Sequence, residues 1–157
     1  LALAGGAAYL VARWRRRAPS ARAVALTQLA DARRLIASHE PARFGEAVSE
    51  AIRRYLEARF DLRAPRRTTE EFLAELAQDE SSPVGAQRGR LAELLAFSDA
   101  AKFGGFRLAV EEMEAMHESA VGFVEETARE ADERARRAPR SRPIETVDGG
   151  ERTRGAA

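Results

Sequence analysis

The chain contains a single lysine, Lys102, and an acidic residue, Asp99, precedes it by three positions. A lysine can act as a nucleophile or a base when its ammonium is destabilised, but a neighbouring carboxylate stabilises that ammonium and opposes such a role. On a helix the same spacing places both side chains on one face, and the helix dipole favours a cation in the last turn. Because Gly104-Gly105 indicates a helix end, we expect a structural clasp of Asp99 and Lys102, with Phe103 entering the core.

The two histidines raise the question of a metal site. Glu114 precedes His117 by three positions, which is one half of the double Glu-x-x-His pattern of carboxylate di-iron proteins. His39 has no glutamate three residues before it, so the second half is missing, and we expect no metal. Glu114 and His117 then lie on a solvated helix face. An enzyme with a site built from Asp99, Lys102, Glu114 and His117 stays open as an alternative.

The remaining composition argues against several other kinds of site. The 157 residues include no cysteine, so neither a disulfide framework nor a thiolate nucleophile is available. Arginine clusters at 13–22, 53–67 and 134–142 could touch nucleic acid, but the formal net charge is only +1 and no base-reading motif accompanies them. We therefore expect no cofactor and no nucleic-acid partner, with an Arg-rich nucleic-acid adaptor as a further alternative.

The acid-rich stretch 111–133 has two interpretations. It could bind a basic partner, or it could be the charged exterior of a long helix, which is the more common reason for such a pattern. Met113, Met116 and Phe123 recur in it at helical spacing. This stripe could form a partner groove, but a long helix must bury one face, so we expect the stripe in the core.

The elements that would position these residues are helices. Apolar residues recur at helical spacing, and no segment alternates apolar and polar residues as a strand does. The clearest pattern follows Pro41, where Phe44, Val48, Ile52, Tyr55, Leu56 and Phe60 recur at helical spacing. We expect Phe44, Val48, Ile52 and Leu56 to be largely buried, and Tyr55 to be partly buried with its hydroxyl near solvent or a polar partner. The sequence predicts an all-α fold, an antiparallel bundle of four to five helices spanning residues 20–137. Residues 138–157 lack the periodicity, and we expect a disordered tail.

The third predicted helix carries its own start signal. Thr68 and Thr69 are both good N-cap residues, and Glu71 follows Thr68 at the spacing of a capping box. In that motif the threonine and glutamate side chains bind each other's backbone N–H groups. We therefore expect Thr68, Thr69 and Glu71 to fix the start of this helix.

Residues 1–12 are apolar throughout and are followed at once by Arg13, Trp14, Arg15, Arg16 and Arg17. Three interpretations compete: the inner end of a transmembrane helix, a buried helix of the domain, or part of a secretory signal. A signal peptide carries its charges before the apolar run, whereas arginines and a tryptophan after it are typical of a cytoplasmic membrane interface. We therefore expect residues 1–17 to be the end of a truncated transmembrane anchor, with residues 18–157 in the cytoplasm.

Three segments together carry a resemblance to a known family. They are Arg54–Phe60 within AIRRYLEARF, Thr68–Leu73 within TTEEFLAEL, and Asp99–Phe103 within SDAAKFGG. The region from Phe44 to Thr127 resembles the cytoplasmic helical tail of BatD-like single-pass bacterial membrane proteins, which occur in operons with MoxR-type ATPases and von Willebrand factor A proteins. The resemblance implies an anchor in the bacterial inner membrane and a protein partner of one of these two kinds, without an established activity.

The sequence thus favours binding over catalysis. We expect a non-enzymatic, membrane-anchored cytoplasmic interaction domain, linked to a MoxR-type ATPase and von Willebrand factor A envelope system.

Overall fold

The computed structural model describes residues 19–62, 68–103 and 108–138, and the regular elements in these ranges are all α-helices. The all-α prediction is therefore confirmed for this part of the chain. The six helices described there are α1 (Ala21–Ala37), α2 (Pro41–Phe60), α3 (Thr69–Leu76), α4 (Pro83–Ala86), α5 (Arg88–Phe103) and α6 (Val110–Arg137).

The described residues thus form six helices where four to five were predicted, and the one that the sequence did not indicate is the single turn of α4. The Ser82 hydroxyl accepts a hydrogen bond from the Gly85 N–H at 2.9 Å, and Pro83 occupies the first turn, where its missing N–H is harmless. This turn is too short to show a hydrophobic period, so periodicity alone does not reveal it.

Two predicted segments lie outside the described residues. The membrane-interface residues belong to residues 1–18, and nearly all of the predicted tail belongs to residues 139–157. Within the described ranges, no helix combines the length and the apolar character needed to cross a bilayer.

Helix α1 packs against α2 and α6 through one apolar stripe. Its N-cap residue Ser20 accepts a hydrogen bond from the Ala23 N–H at 3.1 Å, which satisfies one of the open donors of the first turn. The buried positions alternate in steps of four and three, so they fall on one side of the helix: Ala25, Leu29, Ala32 and Ile36.

Helix α2 has the most extensive buried face, as the sequence predicts. It packs against α1, α5 and α6, and its fully buried apolar side chains include Phe44, Val48, Ile52 and Leu56. Tyr55 is also buried, and its ring meets that of Phe60 edge-on with the centroids 5.8 Å apart. Phe60 is only partly buried, because it lies in the last turn of the helix.

A glycine allows α2 and α5 to approach each other closely. A Cβ atom added at Gly45 would lie 2.7 Å from the Ala101 Cβ and 3.1 Å from the Ser98 carbonyl oxygen. Both distances are shorter than ordinary contacts between such atoms, so the two backbones pack here without an intervening side chain.

Helix α6 is the longest described element and supplies one long buried stripe. Its buried residues are Met113, Met116, Ala120, Phe123, Val124, Thr127 and Ala128. The prediction that the Met113, Met116 and Phe123 stripe belongs to the core is therefore confirmed. Helices α3 and α4 cover the remaining core surface, α3 against α5 and α4 against α5 and α6.

Candidate functional site

Asp99 takes part in a polar junction that joins three helices. Its Oδ2 atom accepts a hydrogen bond from the Thr69 hydroxyl at 3.0 Å, and that hydroxyl in turn accepts one from Arg53 Nη2 at 2.8 Å. Arg53 Nε also lies 3.4 Å from the Ser49 hydroxyl oxygen. A threonine hydroxyl can donate once and accept twice, so Thr69 links the guanidinium of α2 to the carboxylate of α5.

The polar junction, defined by Ser49, Arg53, Thr69 and Asp99, corrects the predicted clasp. Lys102 does lie in the last turn of α5, as expected. However, the ion pairs within 4.0 Å in the described ranges include none between Asp99 and Lys102. The partner of Asp99 comes from another helix, because α3 packs against α5 and the Thr69 hydroxyl donates to Asp99. An ion pair along one exposed helix face would contribute little to stability. The side chain of Phe103 lies outside what the structure describes.

The predicted capping box is present at the start of α3. The Thr68 hydroxyl accepts from the Glu71 N–H at 3.2 Å, and Glu71 Oε2 accepts from the Thr68 N–H at 3.1 Å. Thr69 is the first helical residue, and its hydroxyl belongs to the polar junction instead of the cap. Thr68 therefore caps the helix, whereas Thr69 connects it to α2 and α5, because only the Thr69 side chain faces these two helices.

The polar junction also brings together segments that carry the family resemblance. Thr69 belongs to the second segment and Asp99 to the third, while Arg53 directly precedes the first. Spacing along the sequence does not show this convergence, because 16 positions separate Arg53 from Thr69 and 30 separate Thr69 from Asp99. Its observed contacts are those of a structural connection between helices.

Glu114 and His117 face α1, away from the polar junction. Arg33 binds Glu114 with two nitrogens, Nε to Oε2 at 3.1 Å and Nη2 to Oε1 at 3.4 Å. His117 Nε2 lies 3.0 Å from the Leu29 carbonyl oxygen, and because a carbonyl only accepts, this nitrogen carries the proton. The contacts of the enzyme alternative are therefore divided: Glu114 and His117 bind groups of α1, whereas Asp99 binds Thr69 of α3. The described residues contain no group of three or more potential ligands that could hold a metal ion.

The described arginines of the predicted basic clusters mostly contact other groups of the chain. Arg54 pairs with Glu50 at 2.5 Å, Arg22 pairs with Glu125 at 3.2 Å, and Arg59 pairs with Asp132. The cleft between α1 and α6, about 520 Å³ in volume, is lined by both signs of charge. Such a mixed surface lacks the continuous basic stripe that tracks a nucleic-acid backbone.

Tyr55 connects α2 to α6 inside the core. Its hydroxyl oxygen lies 3.2 Å from the Val124 carbonyl oxygen and 2.9 Å from the Thr127 hydroxyl oxygen. Burial raises the pKa of Tyr55 above its usual value of 10.0, because the charged phenolate would lose its hydration, and the bond to Thr127 opposes this only in part.

A second connection between helices was not predicted from the sequence, and it passes beside Gly122. Arg90 of α5 donates from Nε to the Ser119 hydroxyl at 3.2 Å and from Nη1 to Glu126 at 3.0 Å. A Cβ atom at Gly122 would lie 2.5 Å from Arg90 Nη2, so the glycine leaves room for the guanidinium. A glycine inside an otherwise strong helical pattern is the signal that could have indicated it.

A shallow apolar depression lies beside this connection, between α5 and α6. We call it the α5/α6 groove; its volume is about 300 Å³ and its lining residues include Glu93, Leu94, Phe97, Glu112, Ala115 and Met116. Ser119 lines the groove as well, and its hydroxyl accepts the hydrogen bond from Arg90. The groove combines an apolar floor with carboxylates at its edges, which is suited to a peptide and not to a buried reaction centre.

Comparison of the chain with protein-family models, with curated proteins and with solved structures finds no match.

Proposed function

We propose that this chain is a non-enzymatic protein-interaction module held at a membrane. In this proposal, residues 20–137 form an antiparallel helical bundle in the cytoplasm, and residues 1–17 are the end of a transmembrane anchor in the bacterial inner membrane. The partner is a MoxR-type ATPase or a von Willebrand factor A protein, as the BatD-like resemblance implies. The observation that carries the proposal is the α5/α6 groove, an apolar surface that lies open between two helices.

The contacts of the reactive side chains support binding over catalysis. A nucleophile or general base needs a partner and an accessible position beside a substrate. Asp99 binds Thr69, Glu114 binds Arg33, and His117 binds the Leu29 carbonyl, so three of the four candidates are used in contacts between helices. These contacts stabilise the fold on which an interaction surface would be displayed.

The α5/α6 groove has features that protein partners use. Leu94 and Met116 are almost completely buried but still line the groove, while Phe97 is partly buried and Ala115 is exposed. An amphipathic helix can lay its apolar face into a groove of this kind, and methionine adapts its shape to different occupants. The groove would therefore supply the docking surface of the module.

Site-specific photo-crosslinking in cells tests the proposed partner. A photoreactive amino acid placed at Ala115, in the groove, should crosslink to a MoxR-type ATPase or to a von Willebrand factor A protein, identified by mass spectrometry. The same amino acid at Ala135 is the matched control, because Ala135 is exposed on the same helix about 30 Å away. Equal crosslinking from both positions, or none from Ala115, would contradict the proposal.

Fractionation of the full-length protein tests the anchor separately. We expect recovery in the membrane fraction, resistant to an alkaline carbonate wash that removes peripheral proteins. A variant with Arg15, Arg16 and Arg17 replaced by glutamate should insert poorly, because positive charges favour the cytoplasmic side of the anchor. Recovery of the unaltered protein entirely in the soluble fraction would contradict the proposed anchor. The proposed docking surface would still be tested by the crosslinking experiment.

A further inference from the structure

We propose that the occupant of the α5/α6 groove is a basic amphipathic helix of a partner protein, with apolar side chains on one face and lysine or arginine beside them. This inference rests on the proposed interaction function and adds the chemistry of the partner. It follows from the shape of the groove and from the charges around it.

The shape of the groove suits a short helical segment. The α6 side presents Glu112, Ala115, Met116 and Ser119, which lie within eight consecutive residues and so cover about two helical turns, or about 10 Å. A volume of about 300 Å³ is at the lower end of the range for ligand sites, enough for a few apolar side chains and not for a large cofactor. The occupant therefore presents apolar residues on adjacent turns, at i and i+3 or i+4.

The charges around the groove are mainly negative; the guanidinium of Arg90, which borders the groove at Ser119, is paired with Glu126. Between Val110 and Thr127, α6 carries six glutamates and neither lysine nor arginine. Three of these glutamates pair with arginines of the chain: Glu114 with Arg33, Glu125 with Arg22 and Glu126 with Arg90. The other three are Glu111, Glu112 and Glu118. In the ranges that the structure describes, neither these three nor Glu93 of α5 has a basic side chain within 4.0 Å.

The unpaired carboxylates select the sign of the partner. Glu93 and Glu112 are exposed residues that line the groove itself, and Glu112 Oε2 accepts a hydrogen bond from the Ala109 N–H at 2.8 Å. An acidic helix would be repelled at both edges, whereas lysine or arginine beside the apolar face would meet a complementary potential. The acid-rich stretch is thus more than a solvated exterior at this one place.

Peptide binding to the full chain tests the inference. The probe is a labelled amphipathic peptide of about 14 residues with leucines at i, i+3, i+4 and i+7 and lysines elsewhere, long enough to form a helix on binding. The control peptide has glutamate in place of every lysine. Fluorescence anisotropy should show binding of the lysine peptide at least about tenfold tighter than that of the glutamate peptide, with a preference that weakens as salt is added.

Two protein variants locate the binding surface. Ala115→Arg places a long cation in the groove and should weaken binding of the lysine peptide by about tenfold or more, whereas Ala135→Arg on the same helix should leave it unchanged. Both alanines are exposed and arginine is a good helix former, so both variants should fold; circular dichroism checks this. Equal binding by the two variants would overturn the groove as the docking site.

A third variant tests the charge argument. Glu93→Gln with Glu112→Gln keeps the shape of the rim and still offers an acceptor to the Ala109 N–H, but removes two charges. The preference for the lysine peptide and its salt dependence should both fall by severalfold. An unchanged preference would show that the rim does not select the partner, and self-association that Ala115→Arg abolishes would identify a second copy as the occupant instead.

The peptide experiment and the crosslinking experiment fail independently. Specific crosslinking at Ala115 to an ATPase or a von Willebrand factor A protein, without any preference for the lysine peptide, would refute the basic helix and keep the interaction function. A groove-specific preference for the lysine peptide, without any crosslinked partner protein in cells, would support the basic helix as the occupant and contradict the proposed partner proteins.

Discussion

Thr69 holds the polar junction together at the scale of single residues. Its hydroxyl donates to Asp99 at 3.0 Å and accepts from Arg53 at 2.8 Å. Thr69→Val keeps the shape of the side chain but removes both bonds, leaving a carboxylate that is only partly exposed without its donor. We expect a loss of about 1–2 kcal/mol in the free energy of unfolding, measured with urea.

Thr69→Ser is the control. Because it keeps the hydroxyl, it should lose less than half as much unfolding free energy as Thr69→Val. A double-mutant cycle of Thr69→Val with Asp99→Ala should give a coupling of about 1 kcal/mol. The cycle of Lys102→Ala with Asp99→Ala should give a coupling near zero. The reverse order of the two couplings would restore the clasp that the sequence predicts.

The predictions for single residues succeed where the interacting residues are close in sequence and fail where they are far apart. The capping box of Thr68 and Glu71 is local, so spacing alone fixes both hydrogen bonds. The partner of Asp99 comes from another helix, 30 positions earlier, and that of His117 lies 88 positions away. A pattern within one helix contains no information about which neighbour will cover it.

At the scale of the helix, two glycines of similar appearance in the sequence should respond oppositely to alanine. Gly45→Ala brings a Cβ within 2.7 Å of the Ala101 Cβ and should destabilise the protein by about 1–3 kcal/mol, because α2 and α5 must separate. Gly89→Ala meets no atom within 4 Å and should stabilise by up to about 1 kcal/mol through helix propensity. Thermal unfolding of both variants decides this, and a shift of the same sign in both would contradict the described packing.

The buried face of α2 gives a second prediction at this scale. Ile52 is fully buried, so Ile52→Ala should cost about 2–5 kcal/mol of unfolding free energy. Val24→Ala on α1 is the matched control, because Val24 is 39% exposed and should cost about 0.5 kcal/mol or less. A small effect of Ile52→Ala in urea unfolding would mean that the wrong face of α2 has been placed inward.

Helix existence could be predicted where the apolar period is long. The patterns of α2 and α6 each repeat over several turns, and both stripes lie in the core as expected. The single turn of α4 depends on the Ser82 cap and one proline, so nothing periodic marks it. The α5/α6 groove could not be predicted either, because it depends on how two helices pack and not on either sequence alone.

At the scale of the whole molecule, the titration of the chain at high pH involves few groups. The chain has 26 basic residues of the Lys and Arg types, of which 26 − 1 = 25 are arginines that stay charged, and only two tyrosines. The pKa of Tyr55 is raised in the folded state, so the folded protein keeps a proton that the unfolded chain loses. Its contribution to stability is complete below pH 10 and is lost as pH rises through the folded pKa.

Tyr55→Phe should therefore flatten the fall in stability above pH 10. At neutral pH the variant should be about 1 kcal/mol less stable, because the hydrogen bond to Val124 or Thr127 is gone. Urea unfolding at pH values from 7 to about 11 measures both effects. Parallel stability curves for the two proteins would show that the pKa of Tyr55 is the same in the folded and unfolded states.

Lys102 gives the molecule a practical property. It is the only lysine of the chain, it is partly exposed at the end of α5, and the chain has no cysteine. An amine-selective dye therefore has one side-chain target, and a cysteine introduced at Ala135 would be the only thiol. Two different fluorophores can thus be attached at chosen places without removing any competing lysine or cysteine, and energy transfer between them would report how far α5 and the end of α6 separate when a partner binds.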